Sequence, residues 1–288
     1  MKNLNKIIKV GVIGNPISHS LSPIIHNFYF KKFNINGNYE AYEIPNENFE
    51  ESIKNLVNTQ HLSGFNITIP FKEKIYNLCS HLSKTAQITK AVNTIKIMEN
   101  GKFFGHNSDA YGFIKNFYNQ CPNYQLSNKK CLLIGAGGAS RAIVYGLINE
   151  RVSKIYITNR DAHKALKLIA DLKFFSQQNM AELEFIPLKN NFDFLNEIDL
   201  IINSTSLGMT NQPKLDFDIS NAKKTAIVYD IIYKPLITDI LKQAQSLNLQ
   251  VVTGIGMLIE QALVGFELWF KTKPEFDSEL EKILLKNC

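Results

Sequence analysis

The stretch KKCLLIGAGGASRAIVYGLI (residues 129–148) decides the fold. Its apolar run ends on Gly135-Ala136-Gly137-Gly138-Ala139-Ser140, after which apolar residues recur at helical spacing. A strand, a glycine turn and a helix in direct succession form the phosphate-binding unit of a dinucleotide fold. Gly135 permits the tight turn, and Gly137 lets a pyrophosphate approach the backbone where a helix N-terminus presents unpaired N–H groups. Ser140 stands at the third fingerprint position instead of glycine, and is small enough for close helix–strand packing.

The next strand, KIYITNR (154–160), chooses the cofactor. An NAD enzyme usually ends this strand on a carboxylate that binds the ribose 2′-hydroxyl. Here it ends on Asn159-Arg160, with Lys164 one turn into the following helix. A guanidinium grips a 2′-phosphate bidentately, so NADP is the expected cofactor. Asp161 beside it weighs slightly the other way. Strand-like runs EFIPL (184–188), DLIINST (199–205), AIVYDII (226–232) and QVVTG (250–254) continue the strand–helix alternation of a parallel sheet covered on both faces. Asn203-Ser204-Thr205 falls at a strand carboxyl end, where such sheets bind their ligands.

Upstream, a strand is expected over 8–13, a helix from Ser22 to about Phe33, a strand over 39–44, a helix over 47–57 and a strand over 65–69. Ser22 reads as an N-cap with Pro23 at the first helical position. Asn100-Gly101 reads as a two-residue turn in a hairpin over 92–106. Pro70 ends the strand FNITI and hands over to a helix near Lys72. Two helices, 257–270 and 275–286, end the chain with no strand to follow, so they are expected to fold back on the first domain.

Composition excludes several classes. The chain has 288 residues, 45% hydrophobic and 20% charged, which suits two globular domains. No apolar run approaches the ~20 residues of a membrane span, and the basic start MKNLNK runs directly into a strand without a cleavage-like end; a cytoplasmic protein is expected. Cys79, Cys121, Cys131 and Cys288 are too dispersed for a zinc site, and the six histidines form no metal-binding pair. Residues 109–253 hold 16 basic and 13 acidic residues, and the remainder carries the same excess, so the net +6 is spread evenly. Nucleic-acid binding needs a concentrated stripe, and none is present.

Converting an alcohol to a ketone needs a group that moves the hydroxyl proton. Lys72 and Asp109 are the candidates: a lysine–aspartate pair can keep an ammonium ionised and aimed while a proton passes. Taken singly, each also reads as a solvated charge or a helix cap. Ser20 and Ser22, two apart in a loop, can both face one ligand carboxylate. Asn66, Thr68, Asn93, Tyr233 and Gln261 add donors and acceptors, each with an ordinary capping, turn or surface reading beside it.

In chain order, GNPISHSLSP (14–23), GFNITIPFK (64–72), AVNTI (91–95), GHNSDAYG (105–112), GAGGASRA (135–142), NSTSLGM (203–209), YDIIYKP (229–235) and GIGMLIEQA (254–262) resemble the shikimate dehydrogenase family. The resemblance covers nearly the whole length. It implies NADPH-dependent reduction of 3-dehydroshikimate to shikimate, with Lys72 and Asp109 as the catalytic pair. It implies Ser20 and Ser22 at the substrate carboxylate, and Asn66, Thr68, Asn93, Tyr233 and Gln261 as further substrate contacts. For the cofactor it implies Gly135, Ala136, Gly137, Gly138, Ala139 and Ser140 at the pyrophosphate, Asn159, Arg160 and Lys164 as the 2′-phosphate clamp, Thr205 and Ile231 as further cofactor contacts, and Gly254 and Met257 near the nicotinamide. Ser108, Asp161 and Asp239 depart from commoner family residues without touching a proton-transfer position. The implied fold is α/β: a substrate domain of residues 1–108 plus 254–288 and a Rossmann-type NADP domain of 109–253, flanking a cleft. A quinate/shikimate dehydrogenase of broader substrate or NAD use is the alternative. The expected partners are small molecules, with no nucleic acid, membrane or metal, and the expected state is a monomer or homodimer.

Overall fold

A computed structural model describes residues 7–189 and 192–288; the basic run at 1–6 lies outside the described residues. The chain divides into two compact units, Met1–Ser108 with Ile259–Asn287, and Asp109–Leu258 with Cys288.

The first unit contains β1 (Ile8–Gly14), α1 (Ser22–Lys32), β2 (Gly37–Glu43), α2 (Phe49–Gln60), β3 (Gly64–Ile67), β4 (Cys79–Leu82), α3 (Lys84–Thr89), β5 (Thr94–Ile97) and β6 (Phe103–His106). Its six strands lie in the order β2-β1-β3-β5-β6-β4. The sheet is mixed: β1 runs parallel to β2 and β3, while β3–β5 and β5–β6 are antiparallel. β4, parallel to β6, is absent from the sequence reading because CSHL has neither length nor strong apolar alternation. One face of the sheet packs Ile13, Phe65, Ile67, Phe71 and Ile95 against Phe49 and Ile53 of α2.

Three local expectations are corrected. Leu21, not Ser22, occupies the N-cap of α1, and no side chain caps that helix, so the Ser22 hydroxyl is not spent there. The hairpin turns through three residues, not two: Gly101 N–H bonds to Met98 O at 2.8 Å and Gly101 sits at φ 74°, the left-handed position that closes such a loop. Beyond Pro70 the chain makes a turn and a short 3₁₀ helix (Ile75–Leu78) instead of an α-helix at Lys72. Phe71, fully buried, joins the core at that point and stacks on Phe49 with ring centroids 4.8 Å apart.

The second unit contains α4 (Asp109–Gln120), β7 (Lys130–Ile134), α5 (Gly138–Asn149), β8 (Lys154–Thr158), α6 (Ala162–Gln178), β9 (Glu182–Phe185), β10 (Leu200–Asn203), β11 (Ile227–Asp230), α7 (Asp239–Ser246) and β12 (Gln250–Val252). Its sheet order is β12-β11-β10-β7-β8-β9, parallel throughout. The central strands β7, β10 and β11 are nearly uninterrupted apolar runs, as burial on both faces requires, while the edge strand β9 alternates Glu with Leu and Phe. Leu132, Ile201 and Val228 pack with Ile240 and Leu241 of α7. On the same strand β11, Tyr229 stacks on Phe113 of α4 with ring centroids 4.5 Å apart.

α8 (Ile255–Phe270) begins in the second unit and continues into the first, and α9 (Ser278–Leu285) follows. Within the first unit, Phe266 of α8 meets Phe30 and Tyr29 of α1. All four cysteines are free thiols. No helix among the described residues is long and apolar enough to cross a membrane.

Candidate active site

In the second unit the chain leaves β7 for β8 on one side and returns to β10 on the other. The connections that follow β7 and β10 therefore diverge at the carboxyl ends of these paired strands, the ligand crevice of a doubly wound sheet. Gly135 lies there at φ 121°, and a Cβ on it would fall 2.5 Å from Ser204 Oγ. Gly137 is the N-cap of α5, and a Cβ there would meet nothing within 4 Å, so the backbone faces open space. Its N–H donates to Ser140 Oγ at 3.0 Å.

Ser140 does more than keep the third position small. Its fully buried hydroxyl lies 2.9 Å from Ser204 Oγ, and Ser204 donates to Ile134 O at 2.8 Å. The serine thus ties the glycine loop to the end of β10. Ala136 and Ala139 complete the loop, with Gly138 as the first residue of α5.

At the end of β8, Arg160 and Lys164 are exposed, and neither makes an ion pair among the described residues. Asp161 is engaged elsewhere: its Oδ1 accepts from His163 N at 3.0 Å and Lys164 N at 3.4 Å, capping α6. The carboxylate keeps its charge, but its Oδ1 is held at the α6 N-terminus by these two N–H groups. Asn159 Nδ2 donates to Asp161 O at 2.9 Å, holding the turn. Open space over a helix N-terminus and two uncommitted cations fit a dinucleotide carrying a 2′-phosphate.

Thr205 donates to Asn203 Oδ1 at 2.7 Å, and Ile231 N–H bonds to Asn203 O at 3.1 Å. Gly254 presses on the same segment: a Cβ there would collide with the carbonyl of Ile231. Met257, on α8, is buried in this unit. Tyr233 is half-buried beyond Ile231, and Asp109, buried, opens α4.

In the first unit the predicted polar residues form a buried series. Tyr39 donates to Asn66 Oδ1 at 2.7 Å; Asn66 Nδ2 donates to Thr94 Oγ1 at 2.9 Å and Asn93 O at 3.1 Å. Thr94 donates to Asn93 Oδ1 at 3.0 Å, and Asn93 Nδ2 donates to Ser108 Oγ at 2.9 Å and Gln261 Oε1 at 3.3 Å. Asn93 and Gln261 are therefore neither a turn residue nor a solvated helix face. Buried amides keep their place only when bonded, and here each fixes the next. The Asn66 amide spends both its hydrogens internally and keeps only spare acceptor capacity on Oδ1 for a ligand.

Thr68 and Lys72 flank this layer and are half-buried. The Lys72 backbone is pinned, its carbonyl accepting from Val92 N at 2.8 Å. Ser20 Oγ accepts from Ser22 N at 3.3 Å, which keeps the two serines on one loop face. Sequence reasoning missed Tyr39, Thr94 and His26. Tyr39 and Thr94 fall on alternate inward positions of strands and could have been found by that alternation; His26 carries no such signal.

His26 is fully buried, stacked on Tyr39 at 4.2 Å, with no hydrogen-bond partner for either ring nitrogen. Burial drives its pKa from 6.5 to about 3, with the Asn66 side chain, close but not in bonding geometry, opposing slightly. The folded state holds a neutral ring where the unfolded chain protonates, so stability is lost as pH falls from the unfolded value toward the folded one. Urea denaturation over a pH series is expected to show a slope approaching ~1.4 kcal/mol per pH unit in that window from this ring. His26→Phe, which keeps the stack, should flatten that limb; parallel pH dependences of the two proteins would exclude the assignment.

These two units define a two-domain α/β protein of the nicotinamide-nucleotide oxidoreductase class, one sheet with a dinucleotide-type glycine loop and the other carrying a buried, internally bonded polar layer. Residues 12–95 match the shikimate dehydrogenase substrate-binding domain, 119–252 the shikimate/quinate 5-dehydrogenase family and 254–278 the shikimate 5′-dehydrogenase C-terminal domain. The shikimate dehydrogenase (NADP(+)) of Bartonella tribocorum is 38% identical, covering 96% of this chain and 93% of its own. That of Paramagnetospirillum magneticum is 36% identical, covering 96% and 97%. The crystal structure of the Thermus thermophilus shikimate 5-dehydrogenase with NADP(H) and shikimate superposes with a TM-score of 0.82 at 29% identity, over 98% of this chain and 100% of the other. The chain belongs to the shikimate dehydrogenase family. Among the described residues, no cluster of His, Cys, Asp and Glu could hold a metal ion.

Proposed function

We infer that this protein catalyses the reversible, NADPH-dependent reduction of 3-dehydroshikimate to shikimate on the route to chorismate and the aromatic amino acids. The observation that carries the reading is the match of both units, over nearly the full chain, to shikimate dehydrogenase domains. NADPH, when bound, supplies the hydride that the carbonyl carbon receives.

The remaining work falls to side chains. Gly135 through Ser140 hold the pyrophosphate at the α5 N-terminus, and Asn159, Arg160 and Lys164 hold the adenosine 2′-phosphate. Thr205, Ile231, Gly254 and Met257 shape the nicotinamide end. Ser20 and Ser22 take the substrate carboxylate, and Asn66, Thr68, Asn93, Tyr233 and Gln261 the ring hydroxyls and ketone. The Lys72–Asp109 pair passes a proton to the alkoxide oxygen as it forms; in reverse it removes the hydroxyl proton. The protein works in the cytoplasm as a monomer or homodimer on these small molecules.

The test follows the near-ultraviolet absorbance of NADPH when NADP and shikimate are mixed with the protein. Rapid NADPH formation is expected, with quinate and NAD as poor replacements. The family matched over residues 119–252 includes quinate enzymes, so equal turnover of quinate would move the assignment to the broader quinate/shikimate activity.

A further inference from the structure

Asp230, at the carboxyl end of β11, is fully buried, yet it is no part of the proton-transfer pair or the nucleotide clamp. Its Oδ1 accepts from Ile232 N at 3.0 Å. Its Oδ2 accepts from Thr238 Oγ1 at 2.7 Å and Asn203 Nδ2 at 3.0 Å. Asn203 in turn accepts from Thr205 N at 3.1 Å and Thr205 Oγ1 at 2.7 Å, and donates to Leu207 O at 3.2 Å. One carboxylate therefore reaches both crevice loops, residues 204–208 after β10 and 231–238 after β11.

We propose that Asp230 is a positioning residue that holds these two loops, and with them Thr205, Ile231 and Tyr233, in a single working arrangement, and that protonating it loosens both. The inference rests on the nucleotide-site reading for what the loops do, but the loop ordering itself is a property of the free protein. The ionised carboxylate is acceptor-only and suits three donors converging on it. A protonated carboxyl brings its own hydrogen into the same space, so the Thr238 hydroxyl must turn to accept it and the Asn203 and Ile232 N–H groups face a neutral, weaker acceptor.

Among the described residues, Asn203 from β10, Thr238 ahead of α7 and the Ile232 N–H are the groups that act on the carboxylate, and no charged group among them bears on it. Burial pushes its pKa up to about 6, while the three hydrogen bonds hold it down. For stability the sign is opposite to an ion-paired acid. A folded pKa above the unfolded value means the native state binds the proton first, so acid in that window stabilises the fold. Loss of activity below about pH 6 would then occur without unfolding at this site.

The test compares wild type, D230N and T238V by amide hydrogen exchange of the ligand-free protein and by the pH profile of kcat, with circular dichroism as the folding control. D230N is expected to speed exchange across residues 205–208 and 231–234 and to lower kcat about tenfold, the size of a modest misplacement of reacting groups. Its kcat should no longer fall on the acid side. T238V removes one donor to the ionised form and should move the acid limb to higher pH, a displacement that a purely structural role does not produce. If D230N fails to fold, T238V alone decides, and an unmoved limb together with wild-type exchange overturns the proposal. A wild-type protein inactive on shikimate would refute the functional reading while leaving the exchange comparison to judge the loops.

Discussion

Lys72→Ala is expected to lower kcat by ~10²–10⁴, the usual size of a lost general acid–base group, with little change in KM for either substrate. Phe71 is anchored in the core and bonds its N–H to Thr68 O at 2.9 Å, while Lys72 O accepts from Val92 N at 2.8 Å. The backbone at Lys72 is thus fixed by its neighbours and by Val92 ahead of β5, and truncating the side chain leaves those contacts in place. Asp109 is buried in the first turn of α4, where a carboxylate is favoured by the helix N-terminus. If Lys72 and Asp109 form the proposed pair, removing the ammonium leaves the alkoxide without its proton donor, and water must replace a positioned group. Steady-state kinetics in both directions check this; near-wild-type turnover would falsify the role of Lys72.

Arg160→Ala is expected to raise KM for NADPH by about 10–100-fold while changing KM for NADH little. A charge-assisted hydrogen bond contributes about 1.5–3 kcal/mol, and only NADPH carries the phosphate that receives it. Arg160 is exposed and makes no ion pair among the described residues, so no internal partner is stranded by the change. Because the contact is exposed, the wild-type KM for NADPH should also rise with ionic strength, and the variant's should rise less. Equal losses with the two nucleotides would remove the 2′-phosphate argument.

Arg160 and Lys72 both stand out as candidates in the linear chain, for different reasons. Arg160 follows a strand that itself follows a glycine turn, and each of these elements is specified by residues within a few positions of one another. Lys72 stood out only through the block GFNITIPFK, and the α-helix expected beside it gave way to a turn and a 3₁₀ helix. The hairpin failed similarly in detail: Asn100-Gly101 marked the reversal, but Gly101 took the third place of a three-residue loop. Turn geometry follows the register of the paired strands as well as the local dipeptide.

The residues of this chain, read in order, determined what depends on short range: the strand–glycine–helix unit, the basic strand end and the apolar runs of a parallel sheet. Folding in three dimensions decided which polar groups share a bond. Ser140 meets Ser204 only because β7 and β10 are neighbours, and Asn93 reaches Gln261 only because α8 continues into the first unit. Asp161 became a cap, and Asp230 a junction of two loops, for the same reason. A buried hydrogen bond is set by strand order and register, and those are fixed by contacts between residues that no local pattern links.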